Sequence, residues 1–150
     1  MGVLDDLLRK FGYGDARRRS HLRVFLLDDD ARRHDWFAQR FRGDRLDVAA
    51  EPVHAIKLLS ENSYDAIFLD HDLLPEHYES DERDDERTGY AVARWLAERP
   101  ERQSASHIIV HTRNADAALR MVELLRRTGR HAEHVPFQHL TPKIKSYWRR

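Results

Sequence analysis

The chain of 150 residues contains no cysteine, which excludes disulfides, thiolate metal sites and cysteine nucleophiles. No apolar run approaches the roughly 20 residues needed to cross a bilayer, so no segment reads as membrane-spanning. Glycine and proline are sparse, at 6 and 5 residues, and exclude a collagenous or low-complexity chain. Net charge is also missing, because 26 Lys plus Arg balance 26 Asp plus Glu. Sequence-independent coating of nucleic acid usually rests on a basic field, and this chain has none overall. The amino terminus, MGVLDDLLRKFGYGDARRRS, carries acids where a secretory signal has a basic start and an unbroken apolar stretch. A cytoplasmic protein without a membrane partner is the expectation.

What is present is a soluble mix, 41% hydrophobic and 35% charged, with 10 histidines. The length suits one globular domain. Residues 1–20 read as an N-terminal arm and linker: a short amphipathic helix over Met1–Phe11, then an arginine-bearing stretch from Asp15 to Ser20. Residues 21–150 read as the domain proper. Arg23–Leu27 is an apolar run of strand length stopped by Asp28-Asp29-Asp30, and Asp30 is placed to cap a helix bearing Trp36, Phe37 and Phe41. Leu46–Ala50 alternates like a strand. Pro52 then suits a first helical turn followed by Val53, Ile56, Leu58 and Leu59 on an apolar face. Asp65–Leu69 and His107–Val110 are further buried-type strands. Helical spacing marks Gly89–Glu98, and a helix capped by Asn114 and ended by Gly129. A weaker strand at His131–Val135 and a basic helix over Thr141–Arg150 close the chain. Residues 74–88, with seven acids from Glu76 to Glu86, read as a solvated acidic loop or a lid over a site.

Strand and helix alternate five times, and continuous apolar strands are buried on both faces. That pattern implies an α/β fold with a five-stranded parallel sheet covered by helices. Ligands in such folds sit at the carboxyl ends of the strands. There the sequence places Asp28, Asp29, Asp70, His71, Asp72 and His111. Acids clustered at adjacent strand ends repel unless a cation or a proton sits between them. Carboxylates alone suit Mg²⁺, and imidazole shifts the preference toward Mn²⁺ or Zn²⁺. The remaining histidines (His21, His34, His54, His77, His107, His131, His134 and His139) read as surface or packing residues.

The order of elements, with LLDDD after the first strand, FLDHD after the third and VPF after the fifth, resembles the receiver domain of two-component response regulators. The resemblance implies a flavodoxin-like, doubly wound sheet. It implies further that Asp28 and Asp29 are the acidic pair that holds Mg²⁺, and that Asp70 is the phospho-accepting aspartate. Two positions depart from the family: His111 stands where it has Ser or Thr, and Val135 where it has the phosphate-neutralising Lys. Leu69-Asp70-His71-Asp72-Leu73, Thr88-Gly89-Tyr90 with Trp95-Leu96, and Val110-His111-Thr112-Arg113-Asn114 with Met121 resemble a narrower group, the cyclic-phosphate-processing receiver domains.

That resemblance implies metal-dependent chemistry on a cyclic phosphate. Asp29, Asp70 and one or both of His71 and His111 would bind a divalent ion (Mn²⁺, Zn²⁺ or Mg²⁺), with Asp28 and Asp72 in the same ligand set. Asp70 and His111 are the catalytic candidates, His111 as general acid or base. Thr112, Arg113 and Asn114, at the start of the following helix, are the phosphate-binding candidates. The expected partner is a phosphate-containing small molecule or an RNA end. A second copy of the chain is a further candidate partner, through the N-terminal arm or the last helix. A non-catalytic interaction module and a phospho-accepting response regulator are the alternative readings.

Overall fold

The computed structural model describes residues 21–73 and 86–150. Five strands, β1 (Arg23–Leu27), β2 (Arg45–Ala49), β3 (Ala66–Leu69), β4 (His107–Val110) and β5 (Ala132–His134), form one parallel sheet in the order β2-β1-β3-β4-β5. Five helices connect or follow them: α1 (Ala31–Arg40), α2 (Pro52–Glu61), α3 (Gly89–Ala97), α4 (Ala115–Arg127) and α5 (Leu140–Trp148). This is the doubly wound sheet that the alternation predicts. The chain reverses direction across the sheet between β1 and β3, the crevice where such folds bind ligands.

The two sheet faces follow from the period of two along each strand. Phe25, Leu27, Ile67, Leu69, Ile108 and Val110 face α2, α3 and α4, where Leu59, Val92, Leu96, Met121 and Leu125 complete one core. Val24, Leu26, Phe68 and Ile109 face α1 and α5, where Phe37, Phe41, Leu140 and Ile144 complete the other. Trp148 packs its ring against Phe41 and Phe68.

Boundaries differ from the sequence reading by a residue or two. β2 runs Arg45–Ala49 rather than Leu46–Ala50, and α5 starts at Leu140 after a short 3-10 turn at Phe137–His139. One assignment needs correction. Val53 was expected on the apolar face of α2, but it is 75% exposed. Pro52, Ala55 and Leu59 are the buried residues of that helix, and a residue adjacent to Pro52 is turned about 100° away from them. The expected arm at residues 1–20, and the acidic loop or lid apart from its last three residues, lie outside the described residues. Among the described residues, no helix is long and apolar enough to cross a membrane.

Candidate functional site

β1, β3 and β4 are neighbours in the sheet, and their last residues Leu27, Leu69 and Val110 are in register. The residues that follow therefore emerge side by side. The ladder continues one step beyond the strands, through Asp70 N–H to Leu27 O at 3.0 Å and His111 N–H to Leu69 O at 2.9 Å. Asp28, Asp70 and His111 are all buried, and each offers a ligand atom within 4.8 Å of the others. His111 Nε2 and Asp28 Oδ2 are hydrogen-bonded at 2.8 Å, while the buried His111 Nδ1 has no hydrogen-bond partner among the described residues.

Arg33, in the first turn of α1, lays its guanidinium across both carboxylates. Its Nε donates to Asp28 Oδ2 at 2.7 Å, and its Nη2 donates to Asp28 Oδ1 at 2.9 Å and to Asp70 Oδ2 at 3.2 Å. Asp30 caps the same helix by accepting from Arg32 N–H at 2.8 Å, which fixes where that turn begins.

A sequence profile of the cyclic-phosphate processing receiver domain matches residues 23–127, more than half of the chain. The chain belongs to this family.

Solved structures agree on the fold of this receiver domain. It is similar to a CheY-like receiver domain protein from Methanospirillum hungatei JF-1, with 19% identity over 85% of this chain and 93% of that one and a TM-score of 0.60. It is also similar to the receiver domain of the sensor histidine kinase PA1611 from Pseudomonas aeruginosa PAO1, solved with magnesium coordinated in its active-site cleft. The identity there is 21%, over 86% of this chain and 98% of that one, with a TM-score of 0.59. The response regulator TrrA from Thermotoga maritima, solved with Mg²⁺ and BeF, shares 18% identity over 83% of this chain and 97% of that one, with a TM-score of 0.58. No curated protein matches the chain.

In this receiver domain the two buried carboxylates titrate in opposite directions. Burial raises Asp28, but the hydrogen bonds from His111 and Arg33 outweigh it and hold Asp28 at about 2. Burial pushes Asp70 up to about 6, and the charge of Asp28 adds to that push against His111 and Arg33. Asp29, partly exposed, is raised by burial and by the charge of Asp28 beside it.

The sequence-predicted residues divide into three groups. Asp28, Asp70 and His111 converge. His71 and Asp72 are buried beside them but outside that cluster, with His71 Nδ1 hydrogen-bonded to Asp72 Oδ1 at 2.9 Å. Asp29 also lies outside it, so the carboxylate that meets Asp70 is its neighbour Asp28. Of the phosphate-binding candidates, Arg113 is exposed and Thr112 is buried, with Thr112 Oγ1 accepting from Asn114 N–H at 3.2 Å. Asn114 Oδ1 accepts from Ala117 N–H at 3.2 Å, which makes it the cap of α4. Asn114→Ala should therefore lower stability by about 1 kcal/mol in urea unfolding. An unchanged midpoint would show that the cap is redundant.

Arg33 is the residue that sequence reasoning missed. Its signal was its position, in the first turn of the helix that returns from Asp28, where a long side chain reaches back over the strand end.

These residues fit a divalent cation. Two buried carboxylates face one arginine, which leaves a formal charge of −1, and the imidazole presents its Nε2 to Asp28 Oδ2 at 2.8 Å. Two oxygens and one imidazole nitrogen form a donor set suited to Mn²⁺ or Zn²⁺ as well as Mg²⁺.

Proposed function

We propose that this domain is a metal-dependent phosphoesterase that opens a cyclic phosphate diester. The observation that carries the reading is the convergence of Asp28, Asp70 and His111 within 4.8 Å at three adjacent strand ends. A divalent cation held by these residues would supply polarisation of a phosphoryl oxygen and a bound water of lowered pKa. Asp28, ionised through the whole physiological range, holds the His111 ring by its Nε2. A cation between the two carboxylates would take His111 through Nε2, the nitrogen that faces Asp28 at 2.8 Å, in place of the hydrogen bond between them. Arg33 is one-fifth exposed at its side chain and can swing outward from the carboxylates toward an incoming phosphoryl group. Water adds its oxygen to phosphorus and one ring P–O bond breaks. The water proton leaves to a base at the site, and the departing alkoxide is protonated, so the product is a phosphate monoester with a free hydroxyl.

The alternative of aspartyl phosphorylation at Asp70 is disfavoured because Val135 stands where receiver domains have their phosphate-neutralising Lys. The group that meets Asp70 is Arg33, already bidentate on Asp28, and Lys143 is ion-paired with Glu133 at 3.0 Å.

The test is hydrolysis of a 2′,3′-cyclic nucleotide in Mn²⁺, Zn²⁺ or Mg²⁺. Turnover should require the metal and stop with chelator, and His111→Ala should lower kcat by about 10²–10⁴-fold. Absence of turnover with all three ions, together with labelling of Asp70 by acetyl phosphate, would replace this reading with a phospho-accepting one. Absence of both would leave a non-catalytic interaction module.

A further inference from the structure

At the opposite end of β4 lies a second cluster of ligating side chains. His107 opens β4, His131 directly precedes β5 and Glu133 lies within β5. The parallel register sets Ile108 against Ala132 and Ile109 against Glu133. His107 therefore falls on the same sheet face as Glu133 and His131, since residues two apart share a face. Each of the three offers a ligand atom within 4.8 Å of the others. The His107 and His131 rings stand 4.0 Å apart between centroids. His107 Nε2 is buried and has no well-formed hydrogen bond among the described residues, although Glu133 Oε2 lies 3.4 Å from it. Ligand atoms around a tetrahedral zinc are about 3.3–3.5 Å apart, given bonds near 2.0–2.1 Å.

We propose that His107, His131 and Glu133 form a second metal site in this chain, one that takes a borderline transition-metal ion, Zn²⁺ foremost. Two imidazoles and one carboxylate are a zinc donor set, and a poor one for Mg²⁺ or Ca²⁺. The carboxylate is already oriented, since Tyr147 Oη donates to Glu133 Oε2 at 2.7 Å and Lys143 Nζ approaches Oε1 at 3.0 Å. Such outer partners hold metal-ligating carboxylates in place. His131 is exposed and free to swing its ring onto the ion. An open cavity of about 540 Å³, with Arg126, Arg130, His131, Glu133 and Tyr147 in its wall, leaves room for water in the fourth position.

The ion would tie β4 to β5 and, through Tyr147, to α5. β5 is an edge strand and, at three residues, the shortest of the five, so it is the part of the sheet with most to gain from such a tie. His111 lies four positions beyond His107, about 13 Å along the strand. The two metal sites are thus independent, and this inference does not rest on the proposed hydrolysis.

The experiment is a Co²⁺ titration of the tag-free full chain after chelator treatment, followed by visible absorption and by Zn²⁺ competition. The wild type should develop the visible bands of a four- or five-coordinate Co²⁺ centre, and Zn²⁺ should bleach them. His131→Gln and Glu133→Gln, each added to the Asp70→Asn/His111→Gln variant, should weaken binding at the remaining site by more than the ~10–100-fold that loss of a mere supporting partner costs. Asp70→Asn/His111→Gln should leave the bands in place. Lys143→Gln removes a competing cation from Glu133 and should tighten binding rather than weaken it. His131 is exposed, so its replacement leaves the fold intact, as circular dichroism would check. Bands that persist when His131→Gln and Glu133→Gln are each made in the Asp70→Asn/His111→Gln background, bands that vanish in that double variant alone, or no bands at all in the wild type would each overturn the proposal.

Discussion

Gly89→Ala should cost about 3–5 kcal/mol of folding stability, an effect far above that of an ordinary surface substitution. Gly89 is the first residue of α3, and its N–H donates to His71 O at 2.9 Å. A Cβ placed there would overlap the carbonyl oxygen of Asp70 and lie 2.8 Å from the Asp70 carbonyl carbon and 3.1 Å from His71 Cα. All three obstacles are backbone atoms, which cannot rotate aside as a flexible side chain does. Either the start of α3 lifts away from β3, or the Asp70-His71 corner moves with its carboxylate. Helix propensity alone gives the opposite sign, because alanine in a helix is favoured over glycine by about 1 kcal/mol. The urea midpoint therefore separates the two effects cleanly. A variant as stable as the wild type, or more so, would show that the helix start slides without cost, and that the close approach of Gly89 to Asp70 carries nothing. If the corner moves, stabilisation by Mn²⁺ should fall together with the midpoint.

The layout of this domain was legible because its central strands carry an unambiguous pattern. Val24–Leu27, Ile67–Leu69 and Ile108–Val110 are apolar without interruption, being covered on both faces, and each ends at a polar residue that marks its carboxyl end. β2 was read one residue late because it is an outer strand. Asp47 sits in its middle and Arg45 at its exposed start, so the apolar pattern does not mark where pairing begins.

At the site, the sequence located the strand ends but not which side each residue faces. Asp28 keeps the ladder through its N–H to Ala49 O at 3.0 Å, and its side chain points to Asp70 and His111. Asp29, one step on, turns away, since neighbouring residues in extended chain face opposite sides. A run of three aspartates gives no means of choosing between them. Arg33 and the pair His107 and His131 were hidden for another reason. Arg33 matters only once α1 is laid beside β3, and the two histidines, 24 positions apart, meet only through the register of β4 with β5.

Asp70→Asn should stabilise the metal-free protein by about 2 kcal/mol at pH 8, most of the ~3 kcal/mol implied by a shift from 3.8 to about 6. The remainder is lost because the amide Nδ2 that replaces Oδ2 cannot accept from Arg33 Nη2, which lies 3.2 Å from Oδ2. Asp70 is only 4% exposed, and its charged form is held against burial and against the charge of Asp28. A carboxyl whose pKa rises on folding contributes stability in its protonated form. That contribution is complete below the unfolded value of 3.8 and is lost as pH rises through about 6. The advantage of asparagine, which is neutral throughout, should thus be full above pH 7, shrink between pH 6 and 4, and vanish below that window. Oδ1 of the asparagine can still accept from His71 N–H, as Asp70 does at 2.8 Å, so the pH dependence of the difference isolates the charge. The measurement is the difference in unfolding free energy between the two proteins in chelator, at several pH values. A constant difference across pH 4–8 would remove Asp70 as the strained carboxylate. Adding Mn²⁺ should reverse the order. Wild type, with both carboxylates, should gain stability with the ion bound, whereas the variant should gain little and lose the proposed phosphoesterase turnover with it. A variant that Mn²⁺ stabilises as strongly as wild type would take Asp70 out of the ligand set, and with it the proposed catalytic centre at the three strand ends.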